Sequence, residues 1–238
     1  MLTIVSPVYN SRECLYLLAK KITQVSKKIK IPIEMILIDD GSSDDSWQTI
    51  VNLKKKFNKI KGIKLKKNYG QHYAINVGIK NRTFNTVIVL DCDLSDNPSF
   101  IKDLYNNYKK NFNSIVIEHN YKKFSKKSRL LSNAFWYLLS ILSLKFFNPN
   151  HGNYMLLNKN TLKKYDKVKD IGYLYGDLIT LDIKFIKIKK IRNLAKSATT
   201  YTFYKLIKLG AKLIFKYNII SRILNINSKK KIYISKKI

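Results

Sequence analysis

This 238-residue sequence is short of cysteine, of acid and of long apolar runs. Its two cysteines, Cys14 and Cys92, stand in no CxxC or metal-ligand spacing, so no disulfide is expected and a reducing compartment is favoured. The longest uncharged apolar run, Ala134 to Leu144, covers eleven residues, where a bilayer span needs roughly 20. The opening MLTIVSPVYN has no cationic leader followed by a long apolar region. No signal peptide is therefore expected, and the chain is expected on the cytosolic side. Acids number 15 against 46 Lys plus Arg, a formal net charge of +31. That charge suits polyanionic partners, whether nucleic acid, an anionic membrane or phosphorylated substrates. Lysine, isoleucine and asparagine are abundant throughout, as a genome rich in A and T also produces, so charge alone names no partner.

What is present is a chain 45% hydrophobic, long enough for one substantial core. LTIVS reads as a buried strand, and Leu15, Leu18, Ile22, Val25 and Ile29 recur at helical spacing behind a Ser11 cap. IEMILID is a second strand and DGSSDD a polar turn; Trp47, Ile50, Val51, Leu53 and Phe57 mark a second helix with Asp44 as its cap. GIKLKK, a short helix through Ala74, Ile75 and Ile79, and the strand TVIVL follow. Strands separated by helices imply parallel pairing with right-handed crossovers. The loops SPVYN, DDGSSD, KNYGQ and DCDLSD then converge on one sheet edge, where open parallel sheets bind ligands.

The second half is less regular. It holds a helical segment KKSRLLSNAFWYLLSILSLKFF, strands HGNYMLLNK and DIKFIKIKKI, and an amphipathic helix from Tyr204 to Leu224. No repeat or linker divides the chain, so one domain over residues 1–225 is expected, with a frayed basic tail over 226–238.

Asp91-x-Asp93 after a buried strand is the sharpest chemical signal. Alternate side chains of an extended segment face the same way, so both carboxylates are expected in the cleft, their repulsion relieved by Mg²⁺ or Mn²⁺. The competing reading is that Asp96-Asn97-Pro98 caps the next helix, with Asp91 and Asp93 solvated in a turn. DDGSSD offers further carboxylates to a nucleobase or ribose, with Gly41 permitting a tight turn.

Taken in order and spacing, SPVYN, IDDGSSDDS, KNYGQHYAINVGI and VLDCDLSDNP resemble the family 2 glycosyltransferases, and most closely the dolichyl-phosphate-mannose synthase and polyprenyl-phosphate glycosyltransferase branch. The resemblance implies an α/β GT-A (Rossmann-like) fold: a mixed, mostly parallel sheet flanked by helices, with an amphipathic C-terminal helix. Residues 1–110 would be its nucleotide-sugar half and 111–225 its acceptor half. By position, Pro7 and Tyr9 would flank the base, Asp40 would bind it, Asp91 would face ribose and metal, and Asp93 would be the main metal ligand. Asn68, Gly70 and Gln71 match the donor-side loop, although Lys67 stands where Arg is frequent. Arg129 and Ser132 match a helix that approaches a phosphate-bearing acceptor, and Arg192, Ser197 and Tyr201 a segment near the donor diphosphate.

Departures bear on the acceptor. Where that branch has Gly-Asp-Phe-Arg-Leu, this chain has GNYML, with Asn153 and Met155 at the Asp and Arg positions, and Ser95 replaces a Gln. Losing a cation weakens a bare lipid phosphate as acceptor and favours a sugar hydroxyl, which needs a base. Asp177 is the candidate base; the competing reading is a solvated helix acid. His72 and His151 are read as structural or as contacts to diphosphate or acceptor. Lys205, Lys208, Lys212 and Lys216 opposite an apolar face suit an interfacial helix on an anionic membrane surface, or a solvated face of a core helix. The expected activity is inverting transfer from a nucleotide diphosphate sugar to a glycan or lipid-linked acceptor in the cell envelope. Alternatives are a polyprenyl-phosphate glycosyltransferase, a catalytically silent nucleotide-sugar-binding homologue and a basic nucleic-acid-binding protein. Against the last, acids at the strand ends would repel a phosphate backbone.

Overall fold

The computed structural model describes residues 1–120, 126–148, 150–168, 172–191, 210–211, 213–217 and 233–238. Leu2–Val8 (β1) and Ile33–Asp39 (β2) are buried at every position, because both faces of a central parallel strand are covered by helices. They pair in parallel, and Ile60–Leu65 (β3) extends the sheet beside β2. Val87–Val89 (β4) lies on the other side of β1, also parallel. Ile115–Asn120 (β5), His151–Leu157 (β6) and Ile186–Ile191 (β7) continue the sheet past β4, with β6 antiparallel to both β4 and β5 and β7 parallel to β5. Ile234–Lys237 (β8) runs antiparallel to β3, giving the order β7-β5-β6-β4-β1-β2-β3-β8.

Helices cover both faces. Arg12–Ile29 (α1), Ser46–Lys56 (α2) and Ile101–Asn111 (α4) bury Leu15, Leu18, Ile50, Leu53 and Leu104 against Ile4, Leu37 and Leu156. Gln71–Lys80 (α3), Lys159–Tyr165 (α6) and Leu174–Thr180 (α7) bury Ala74, Ile75, Leu162 and Leu178 against Val5, Ile38 and Met155 on the other face. Lys126–Ser143 (α5) belongs to a smaller cluster, with Leu139 packed on Phe147, Leu213 and Tyr217. The chain steps outward from β1 to β3 on one face and returns through α3 to β4 on the opposite face. The strand order therefore reverses between β1 and β4, and a crevice opens there at the carboxyl ends.

Several expectations change. Ser11 precedes α1, but its hydroxyl makes no cap bond and donates to the Tyr9 carbonyl at 2.9 Å. Asp45, not Asp44, occupies the cap position of α2; the Asp44 carboxylate still accepts from Ser46 N–H at 3.0 Å. The expected frayed tail is overturned at its end: β8 pairs with β3, and Ile238 and Gly62 exchange backbone bonds at 2.9 Å. A lysine-rich segment reads as solvated, yet a ladder needs only backbone groups, and lysines suit an edge strand. Most of the Tyr204–Leu224 helix lies outside the described residues. Within it, Leu213 and Tyr217 are buried on α5, so this part packs on the core, and Lys216 leaves the solvated stripe to pair with Asp177 at 2.9 Å.

Candidate functional site

The loops at the crevice are tied to one another in sequence. Asn10, held at φ +47°, accepts Ser43 N–H at 2.9 Å and donates its own N–H to the Ser42 hydroxyl at 3.0 Å, joining the β1 loop to the β2 loop. Gly41, at φ +70°, passes so close to the next loop that a Cβ there would stand 2.5 Å from the Lys67 carbonyl carbon. Only glycine fits both constraints. Asp40, 3% exposed, accepts from Tyr69 N–H and Gly70 N–H, each at 2.8 Å. Its neighbour Asp39 is fully buried, accepts Ser42 N–H at 3.1 Å and lies 4.0 Å from the Lys64 ammonium. Asp40 thus shapes the loop carrying Asn68 and Gly70. Gln71, the first residue of α3, donates its side-chain amide to Asp91 at 2.8 Å and completes the chain of links.

Pro7 and Tyr9 part company. Tyr9 is half exposed at the strand end, whereas Pro7 is buried within β1 opposite Ile38. Residues 3 and 5 direct their backbone bonds to the β4 side, and residue 7 follows the same alternation. The β4 ladder has already ended at Val5↔Val89, so the N–H that Pro7 lacks costs no bond.

The acid loop is a turn rather than an extended segment, so the alternating-face argument for Asp91 and Asp93 does not hold. Leu94 adopts φ +59°, Asp93 accepts Ser95 N–H at 3.0 Å, and Asn97 caps the turn Pro98–Phe100 by accepting Ser99 N–H at 3.0 Å. The two acids flank Cys92 in this turn. Cys92 between them is buried, and its thiol is pushed up to about 12, first by burial and then by the negative charges of Asp91 and Asp93. Cys14 in α1 is raised by burial and next by Asp93, which puts Asp93 near the start of α1. Among the described residues no three His, Cys, Asp or Glu side chains form a closed metal cage. Two carboxylates beside an open crevice are a hard-oxygen donor set of the kind that holds Mg²⁺ or Mn²⁺ together with substrate phosphates and water.

In the second half, Asp177 is not solvated. It is 2% exposed and accepts from Gly172 N–H at 2.9 Å, from Tyr217 O–H at 2.7 Å and from the Lys216 ammonium at 2.9 Å. Burial still raises its pKa, against the pull of Lys216. His72 lies edge-on to Tyr173, 4.8 Å between centroids, and is lowered to about 4 by burial and then by Lys216. His151, 4% exposed and packed edge-on to Tyr175, is also lowered to about 4, chiefly by burial. Met155 is fully buried opposite Val89 and Val116, so position 155 belongs to the core, not the cleft. The side chains of Arg129 and Ser132, and the whole of Arg192, Ser197 and Tyr201, lie outside the described residues. Sequence reasoning did not single out Asn10, two residues past the end of β1, and it placed Tyr217 only on the apolar face of the Tyr204–Leu224 segment, not against Asp177.

Residues 3–171 match the profile of the family described as Glycosyl transferase family 2. An uncharacterised glycosyltransferase of Synechocystis is 25% identical over 162 residues, covering 68% of this chain and 51% of that protein. The chain therefore spans about half the length of that curated relative. Among solved structures, the mannosyltransferase PcManGT from Pyrobaculum calidifontis, in complex with GDP-Man and Mn²⁺, has a TM-score of 0.59 at 13% identity, with 96% of this chain and 65% of that one covered. Glucosyl-3-phosphoglycerate synthase from Mycobacterium tuberculosis, in complex with UDP, has a TM-score of 0.62 at 14% identity, covering 91% and 79%. At these identities the likeness is one of fold.

Proposed function

Because the chain belongs to glycosyl transferase family 2, we propose that it moves a sugar from a nucleotide diphosphate sugar to an acceptor in cell-envelope glycan or glycolipid synthesis, with inversion. The observation that carries this reading is the linked set of loops at the β1/β4 crevice, ending in Asp91 and Asp93. Tyr9 offers a half-exposed ring to the base, and the loop of Asn68 and Gly70, held by Asp40, faces the donor. Asp91 and Asp93 would hold Mg²⁺ or Mn²⁺. When bound, the cation neutralises charge on the departing diphosphate. The acceptor attacks from the opposite face of the sugar carbon, which inverts its configuration.

A second reading concerns the acceptor. Asp177 is buried with both oxygens already engaged, so in this arrangement it is out of reach of an acceptor hydroxyl and poorly placed as a general base. Met155 lies in the core, so the absence of Arg there no longer argues against an anionic acceptor. An acceptor phosphate is already anionic and needs no base. These two observations favour a polyprenyl phosphate over a sugar hydroxyl, with the enzyme working at the inner face of a membrane. The test is a thermal-shift panel of nucleotide diphosphates and their sugars with Mn²⁺, followed by transfer assays offering undecaprenyl phosphate and lipid-linked saccharides side by side. No metal-dependent shift with any nucleotide would remove the donor reading, and transfer to saccharides alone would remove the second.

A further inference from the structure

We infer that the outer face of α5 docks on an anionic lipid bilayer and so holds the crevice at the membrane surface. This deepens the lipid-acceptor reading and rests on it for its purpose, though not for its geometry. The sequence has no charged residue between Arg129 and Lys145, so the body of α5 is apolar or neutral on every side. Its inner face packs Phe135, Trp136 and Leu139 against Phe147, Leu213 and Tyr217. Tyr137, Leu138 and Ile141, at i, i+1 and i+4 of α5, are instead exposed by 71%, 46% and 53%, and Leu144 and Phe146, just past the end of the helix, follow at 69% and 71%. Solvent-facing positions of a surface helix are ordinarily polar, and a contiguous apolar stripe marks a contact surface.

Topology sets this stripe beside the crevice. β6 is antiparallel to β4 and β5 antiparallel to β6, so the chain enters and leaves the α5 excursion at the sheet edge that carries Asp91 and Asp93.

Charge selects the occupant. There is no acid between Glu118 and Asp166, while Lys122, Lys123, Lys126, Lys127 and Arg129 precede the apolar stretch in sequence. The Lys187 ammonium stands 6.0 Å over the Phe146 ring. A second copy of the chain would carry the same net charge of +31 and be repelled. Nucleic acid would satisfy the cations but has nothing to bury Leu138, Ile141 and Leu144. An anionic bilayer supplies both headgroup phosphates and an apolar layer at the depth these side chains reach.

The test uses the full chain and sedimentation with vesicles of phosphatidylcholine alone or mixed with phosphatidylglycerol. Binding should favour the anionic vesicles, weaken with salt, and fall about tenfold or more in the Ile141→Asp, Leu144→Asp double variant. Both positions are exposed, so the variant should keep its thermal transition. Unchanged vesicle binding in the variant would overturn the inference. So would equal binding to neutral vesicles, or a wild-type dimer in light scattering that the variant dissolves. Vesicle binding without any nucleotide-induced shift would instead sink the transferase reading and leave this surface standing.

Discussion

The side-chain amide of Gln71 donates to Asp91 Oδ1 at 2.8 Å, so the first turn of α3 fixes the orientation of the acid loop after β4. Gln71→Ala should weaken metal-dependent nucleotide affinity by about tenfold, the usual cost of losing a group that orients a metal ligand. Calorimetric titration of the nucleotide with and without Mn²⁺ checks this; an unchanged metal-dependent affinity would mean that Asp91 needs no such support.

Asp93→Ala should abolish the metal-dependent part of nucleotide binding. Asp93 accepts one backbone bond in a partly exposed turn, so stability should change by no more than about 1 kcal/mol. Thermal shift with nucleotide, with and without Mn²⁺, separates the two effects.

Gly41→Ala should cost about 2–4 kcal/mol in urea unfolding, combining a left-handed backbone with a contact of 2.5 Å to the Lys67 backbone. The nucleotide response should fall too, because the Asn68 loop would be displaced.

Asp177→Asn distinguishes a base from a structural ion pair. The substitution leaves Lys216 mostly buried without its carboxylate, so a loss of about 3 kcal/mol in stability is expected. A variant that stays fully stable but no longer turns over would restore Asp177 as the base.

Acid should destabilise the fold through its histidines. His151 and His72 are each lowered to about 4 from 6.5, so the unfolded chain takes up protons first. Their stabilisation is fully present above pH 6.5 and is lost as pH falls through about 4, an amount of about 3 kcal/mol for the buried His151. Asp177, raised by burial, acts in the opposite sense. Urea unfolding across this range should show a shallower acid limb in His151→Asn than in the wild type.

The donor half was legible because its signals are local. Each strand is an apolar run, each loop follows its strand directly, and helical spacing in α1 and α2 names the buried face. The acceptor half was not, because its contacts are distant in sequence. Asp177 reads as a helix acid until Lys216 and Tyr217, about forty residues later, close over it. Met155 reads as a lost arginine until its pairing with Val89 and Val116 puts it in the core. β8 reads as a lysine tail because its partner, β3, lies at the other end of the chain. Even in the donor half, periodicity said nothing about why a proline is tolerated inside β1, which depends on where the β4 ladder stops.

The ties among the crevice loops have a thermodynamic consequence. Loops that must freeze around a ligand charge their lost conformational entropy against affinity, and rigid ones do not. Here Asn10 with Ser43, Asp40 with Gly70 and Gln71 with Asp91 already restrain the backbone on both sides of the crevice. Nucleotide binding should therefore be close to lock-and-key on the donor side. Its heat-capacity change should match the contact area of the nucleotide alone, and hydrogen-exchange protection of residues 39–45 and 66–71 should be high before any ligand is added.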